Sequence, residues 1–206
     1  MFICITTACV AAQLLALEPN APWKDTYEST AAAIVRAAHE SPLFAGPTGV
    51  AKTIEVIVAT AHFESAGNPR AEGDHLCRPG EVRPKCTGEA QSLCLLQVGR
   101  SNLKGLGTTA QEILNDVDVC VDKGLRLMHV SFAICRARPL EDRLANYAAG
   151  GSGCGGPKGE GILKSRHRML KATRLFEGAE TMWRRREREL YAALDLDPTT
   201  GLVLSR

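Results

Sequence analysis

Glu64 is a carboxylate that the sequence places in the last turn of a buried helix. Apolar residues recur at helical spacing from Val50 to Phe63, and Gly67 and Pro69 follow closely enough to end the helix. The end of a helix carries partial negative charge, so this position, together with partial burial, favours the protonated carboxyl group. A carboxyl group that keeps its proton near neutral pH can act as a general acid toward a glycosidic oxygen. The alternative is an ordinary solvated glutamate at a helix end.

Four short blocks in a fixed order extend this candidate into a possible site. In chain order they are Glu64-Ser65-Ala66-Gly67, Cys94-Leu95-Leu96-Gln97-Val98, Asp118-Val119-Cys120-Val121-Asp122-Lys123-Gly124-Leu125 and Asn146-Tyr147-Ala148-Ala149-Gly150. Together they resemble the active-site frame of lytic transglycosylases and goose-type lysozymes. The resemblance covers about 53–176, more than half of the chain.

The resemblance implies a mainly α, lysozyme-like fold with a minimal β segment and a long cysteine-bearing loop. It also implies an enzyme that cleaves the β-1,4 bond between N-acetylmuramic acid and N-acetylglucosamine in peptidoglycan. Glu64 is the expected catalytic acid, and Tyr147 is expected to hold or polarise it. Gln97, Ser65 and Asn146 are the other expected substrate-binding residues. Gln97 could instead bridge loop backbone, and Tyr147 could be a core aromatic residue.

Three functions remain open on the sequence alone. A lytic transglycosylase needs only Glu64, because the sugar's own 6-hydroxyl completes the reaction. A hydrolytic lysozyme or endolysin needs a second carboxylate to activate water. Asp74 is the best-placed candidate, and Glu72, Glu81 and Glu89 are nearby alternatives. The third function is a structural virion or assembly part with a lysozyme-like fold and weak or no activity.

The chain departs from the family pattern at several positions. Cys94 stands where the family has a glycine, and Leu96 stands for the usual methionine. Cys120 and Ala148 occupy positions where the family carries asparagine. These departures bear on substrate contacts and provide the best support for the structural alternative, but they leave the acid in place.

The chain contains 8 cysteines, which is typical of a protein from an oxidising compartment. We expect a disulfide between Cys77 and Cys86, with a pair of free thiols as the alternative. Cys120 and Cys135 lie on one predicted helix about 22 Å apart, too far to bond to each other. Cys154 lies in a glycine-rich loop that can reach a partner cysteine in this chain or another. No cysteine pair has the spacing of a zinc site, so no metal and no cofactor are expected.

Charge and hydropathy limit the classes of partner that we expect for this protein. A net charge of +2 gives no argument for nucleic acid. The apolar stretch 1–17 is too short for a stable membrane span, and no Lys or Arg precedes Lys24. We therefore favour a packed helix there over a signal peptide. The expected partners are peptidoglycan glycan strands and phage tail or baseplate proteins, in a virion (phage tail) or an extracytoplasmic or periplasmic setting.

The chain is interpreted as one lysozyme-like domain over 1–206, with an N-terminal helical extension, a catalytic core and a C-terminal charged helix and tail. These parts span 1–49, 50–176 and 177–206. Further helices are predicted at 27–39, 117–136, 140–147, 162–176 and 179–194, with a β-like segment at 93–98. Thr109 and Glu112 predict a capping box that opens another helix. The charges of 183–189 fit a solvated helical face or a surface for a partner protein.

Overall fold

The fold is known from a computed structural model, which describes residues 5–73, 88–148 and Cys154. The described part is mainly helical with one small sheet, as the sequence predicts. Its α-helices are α1 (Thr7–Leu17), α2 (Tyr27–Glu40), α3 (Gly49–Ser65), α4 (Leu103–Leu106), α5 (Ala110–Asn115), α6 (Val117–Ile134) and α7 (Leu140–Ala148). Its strands are β1 (Glu72–Gly73), β2 (Ser92–Leu93) and β3 (Val98–Gly99). The helices predicted at 162–176 and 179–194 lie outside the described residues.

Local sequence signals set the ends of the helices near the site. Helix α3 ends at Ser65 because Ala66 adopts a left-handed conformation with φ of 51°, and Gly67 follows with φ of 75°. Helix α5 begins with the predicted capping box between Thr109 and Glu112. The predicted position of Glu64, in the last turn of α3, is confirmed.

The three strands form one antiparallel sheet in the order β1-β2-β3. Leu93 pairs with Val98, so β2 and β3 form a hairpin around four intervening residues. The prediction of a single β-like segment over 93–98 is therefore wrong. The chain reverses within it because Cys94 and Gln97 both adopt positive φ, 65° and 51°, which an extended strand excludes.

A single large hydrophobic cluster joins the N-terminal helices to the sheet and to α6. Its fully buried members include Ile34 of α2, Ile57 of α3 and Met128 of α6, together with Leu95 and Leu96 from the hairpin. Helix α1 contacts both α2 and α3. It is the packed helix that the sequence predicts.

Two disulfides link the described residues. One joins Cys94 to Cys120, and the other joins Cys135 to Cys154. Cys120 and Cys135 are thus not bonded to each other, as predicted from their separation along α6. The predicted pair of Cys77 and Cys86 lies outside the described residues. Within 5–73 and 88–148, no helix is both long and apolar enough to cross a membrane.

Candidate active site

Glu64 and Tyr147 come together although 83 positions separate them in the chain. Glu64 is partly buried at the end of α3, and Tyr147 lies near the end of α7. Burial raises the pKa of the Tyr147 phenol far above its usual range, and the negative charge of Glu64 raises it further. Tyr147 is therefore neutral at any physiological pH and close enough to respond to the charge of Glu64.

The phenol of Tyr147 has a defined hydrogen-bond partner. Its Oη donates to the carbonyl oxygen of Leu96 at 2.7 Å. Because a phenol has one proton, this bond leaves Oη as an acceptor only. Toward Glu64 it can accept a hydrogen bond from the protonated carboxyl group. Any hydrogen bond between this phenol and the Glu64 carboxyl group would therefore have the carboxyl group as its donor.

Ser65 ties α3 to the same hairpin. Its Oγ lies 2.9 Å from two acceptors, the carbonyl oxygens of Ala61 and Leu95. The first acceptor is one turn back in α3, and the second belongs to the residues between β2 and β3. The hydroxyl thus joins the helix end that carries Glu64 to the hairpin, and both of its acceptors are backbone carbonyls.

Gln97 fixes the shape of the hairpin with its side chain. Its Oε1 accepts from Ser92 Oγ at 2.6 Å, and its Nε2 donates to the carbonyl oxygen of Cys94 at 3.0 Å. The amide therefore does bridge loop backbone, the alternative left open for this residue. One N–H and one lone pair of the amide remain for a ligand.

A groove of about 430 Å³ runs between the hairpin, α6 and α7. One wall is apolar and includes Val130 and Ile134, which are 50% and 63% exposed on α6. The opposite side carries amide and hydroxyl groups. The polar residues lining the groove are Gln91, Ser92, Gln97, Ser101, Asn102, Ser131, Asn146 and Tyr147. None of the described lining residues carries a formal charge.

Asn146 lines this groove and is an unusual buried amide. The residue is 1% exposed, and neither its Nδ2 nor its Oδ1 has a hydrogen-bond partner among the described residues. An unpaired buried polar group costs about 1–3 kcal/mol, so both atoms favour a partner beyond those that residues 5–73 and 88–148 supply. The amide offers that partner a donor and an acceptor side by side.

Comparisons with protein-family models, curated proteins and solved structures gave no match to this chain. The resemblance to lytic transglycosylases therefore rests on the four sequence blocks themselves. The structure brings residues from these blocks together: Ser65 and Tyr147 bond to the hairpin that carries Gln97, and Gly124 of α6 packs against Leu96.

Two features of the site were missed by the sequence analysis. Ser92 bonds to Gln97, and its only signal was its polarity beside a strand. The disulfide between Cys94 and Cys120 was not predicted. Cys94 replaces a family glycine in one block, and Cys120 replaces a family asparagine in another. Two cysteines that replace family residues in different blocks are a signal that those blocks meet in space.

Asp74, the alternative second carboxylate, lies outside the described residues. Among residues 5–73 and 88–148, no group of three or more His, Cys, Asp or Glu side chains is arranged to hold a metal ion. The groove itself offers amide and hydroxyl groups, and Glu64 is not among its described lining residues. Tyr147, which lines the groove and responds to the charge of Glu64, is what relates the two.

Proposed function

We propose that this protein is a peptidoglycan lytic transglycosylase that uses Glu64 as its single catalytic carboxylate. One observation carries the proposal: Ser65, beside the acid, and Tyr147, which responds to its charge, bond to adjacent carbonyls of the turn that holds Gln97. A solvated glutamate at a helix end would need none of these contacts. These hydrogen bonds fix the positions of the groups near Glu64. Proton transfer to a bound substrate requires such a fixed geometry.

In the proposed reaction, Glu64 donates its proton to the oxygen that bridges N-acetylmuramic acid and N-acetylglucosamine. The bond from that oxygen to C1 of the muramic acid breaks as the leaving sugar takes the proton. The 6-hydroxyl oxygen of the same muramic acid then bonds to C1, and its proton returns to Glu64. The product has a 1,6-anhydro end, and the acid is restored without a second carboxylate. Tyr147 accepts a hydrogen bond from the protonated acid before the transfer.

The chemistry of the groove supports a glycan substrate. A neutral lining of amides and hydroxyls suits sugar hydroxyl and acetamido groups, and the apolar wall on α6 suits their methyl groups. The amide of Asn146, which has no partner among the described residues, complements an acetamido group, directly or through a bridging water, because each offers an N–H donor and a carbonyl acceptor. Both sugars of peptidoglycan carry such a group.

The test is mass spectrometry of the soluble products released from purified peptidoglycan by the wild-type chain and by Glu64→Gln. Glu55→Gln is the matched control, because Glu55 is an exposed carboxylate on the same helix. We expect anhydromuropeptides from wild type and Glu55→Gln, and a loss of at least 100-fold in Glu64→Gln.

The other outcomes decide among the alternatives. Muropeptides with reducing ends would contradict transglycosylation and favour a lysozyme with a second carboxylate, which Asp74→Asn would then test. A folded wild-type chain that releases no product would favour the structural virion or assembly part.

We further propose that the enzyme acts in a phage virion, as a tail component that opens the cell wall. The disulfides support an oxidising, extracytoplasmic environment, which a virion shares with the periplasm. Detection of the chain by mass spectrometry in purified phage particles would support the virion. Recovery only from the periplasm would place the activity in the bacterium itself.

A further inference from the structure

The turn formed by residues 94–97, between β2 and β3, is where the site residues meet. The Cys94 carbonyl accepts from the Gln97 backbone N–H at 3.1 Å and from the Gln97 side chain. The Leu95 carbonyl accepts from Ser65, and the Leu96 carbonyl accepts from Tyr147. Three consecutive carbonyl oxygens therefore hold the side chains of Gln97, Ser65 and Tyr147.

This turn has an intrinsically unfavourable backbone. Cys94 and Gln97 both have positive φ, a region where a residue with a Cβ atom is strained. Neither residue is glycine, so the conformation persists only if surrounding contacts impose it. A free turn of this sequence would relax toward negative φ and carry its carbonyl oxygens away from Ser65 and Tyr147.

Two contacts hold the turn against α6. The disulfide joins Cys94 to Cys120, and both cysteines are completely buried. One helical turn further along α6, Gly124 leaves the space that Leu96 fills: a Cβ at Gly124 would lie 2.8 Å from Leu96 Cβ. The disulfide is attached directly at the first strained residue, whereas Leu96 makes only a packing contact.

We propose that the Cys94–Cys120 disulfide is a positioning element of the active site, which holds the 94–97 turn in the conformation that Ser65, Tyr147 and Gln97 require. This inference rests on the proposed transglycosylase function. The bond forms when the two thiols give up two protons and two electrons to a disulfide-bearing oxidant, which is reduced to two thiols. The chain thus completes its active site only after this oxidation, and the reduced chain is a poor enzyme.

The second disulfide provides a matched control. The pair Cys135–Cys154 closes a loop of 19 residues, compared with 26 for Cys94–Cys120, so the two bonds should stabilise the fold similarly. Neither Cys135 nor Cys154 belongs to the 94–97 turn, so this second disulfide is not attached to the turn. A loss of activity that follows stability alone would affect both disulfide variants equally.

The experiment compares kcat and KM on soluble glycan strands for wild type, Cys94→Ala/Cys120→Ala and Cys135→Ala/Cys154→Ala, each assayed well below its Tm. We expect kcat to fall at least 10-fold in the first variant, with KM changed less than 3-fold, because positioning for the chemical step is lost. The control variant should keep kcat within 3-fold of wild type. Equal losses in the two variants, or wild-type kcat in the first, would overturn the proposal.

A third variant separates positioning from stability. In Cys94→Gly/Cys120→Ala the disulfide is also absent, but glycine adopts positive φ without strain. We expect its kcat to be at least 3-fold higher than that of Cys94→Ala/Cys120→Ala, although both variants lack the disulfide. A kcat no better than that of the alanine variant would contradict the role assigned to the strained turn.

Hydrogen–deuterium exchange makes the inference independent of the proposed activity. The Gln97 amide, bonded to Cys94, should lose protection in Cys94→Ala/Cys120→Ala and keep it in Cys135→Ala/Cys154→Ala. If the wild-type chain cleaves no glycan, the proposed function is refuted. The exchange pattern would still test whether the Cys94–Cys120 disulfide holds the 94–97 turn in place. Unchanged protection at Gln97 would refute the positioning role itself.

Discussion

At the scale of single residues, Tyr147 is the side chain that lies near Glu64 and also bonds to the backbone of the 94–97 turn. It lies where the charge of Glu64 reaches it, and it donates its only proton to Leu96. A phenylalanine at this position would keep the ring and its packing but would leave the Leu96 carbonyl without this donor. The consequences can be measured on stability and on activity separately.

Tyr147→Phe should change the alkaline stability of the protein. In wild type the folded phenol keeps its proton, whereas the unfolded one ionises near pH 10, so stability is full below pH 10 and falls as pH rises further. The loss approaches about 1.4 kcal/mol per pH unit for this one proton. Urea unfolding between pH 8 and 11 should show a shallower decline in the variant, and glycan cleavage at neutral pH should fall.

Tyr27→Phe is the control for this variant. The pKa of Tyr27 is also raised by burial, but its hydroxyl donates to the Glu18 carbonyl at 3.4 Å rather than to the 94–97 turn. It should alter alkaline stability without affecting cleavage. An identical alkaline decline in Tyr147→Phe and wild type would refute the burial of a protonated phenol at position 147.

The sequence could predict where Glu64 lies but not what surrounds it. Apolar periodicity, followed by Gly67 and Pro69, was sufficient to place the carboxylate in the last helical turn. The partners of Ser65 and Tyr147 are backbone carbonyls of Leu95 and Leu96. A carbonyl acceptor is present in every residue, so side-chain identity gives no indication of which one is used.

The hairpin and α6 are the elements whose contact determines the site. Leu96 of the 94–97 turn packs into the space at Gly124. Here glycine serves close approach rather than backbone freedom, since a side chain at this position would push the turn away from the helix.

Gly124→Ala should therefore destabilise the protein by about 1–3 kcal/mol, because the added methyl overpacks the contact with Leu96. Gly105→Ala is the control, since a Cβ at Gly105 of α4 meets no atom within 4 Å. Alanine there should be neutral or stabilising by up to about 1 kcal/mol. Urea denaturation of both variants gives the comparison, and equal midpoints would show that the close contact at Gly124 is absent.

Helices were predicted more accurately than the sheet for a physical reason. The helices α2, α3, α6 and α7 have apolar periodicity in their own sequences, and Asp116 caps the start of α6. The turn at 94–97 contains no Gly, Asn, Asp or Pro, the residues that normally indicate a reversal. Its conformation is imposed by Cys120 and Gly124, which belong to a distant segment. The pairing itself is one of 105 for eight cysteines, so spacing could not identify it.

The whole molecule includes α1 in its core. Val10 is fully buried and Leu14 is 2% exposed, both within the cluster that contains Ile34 and Ile57. Helix α3, which carries Glu64, is packed directly against α1 as well as α2. The N-terminal helix therefore supports the element that positions the acid.

Leu14→Ala should cost about 2–5 kcal/mol of unfolding free energy, as expected for truncation of a buried leucine. The neighbouring Leu15 is 42% exposed on the same helix, so Leu15→Ala should stay within about 0.5 kcal/mol of wild type. Chemical denaturation of the two variants measures the difference. Similar costs for both leucines would contradict the packing of α1.

The bonds at the 94–97 turn also determine when the active site can form during folding. Ser65 reaches Leu95 across 30 positions, and Tyr147 reaches Leu96 across 51. Closing such loops costs entropy that only the surrounding packing can offset, so both contacts belong to the late stages of folding. A nascent chain that ends before α7 can hold its acid in place on α3 and still lack the tyrosine beside it. The proposed activity therefore requires that synthesis has passed Tyr147.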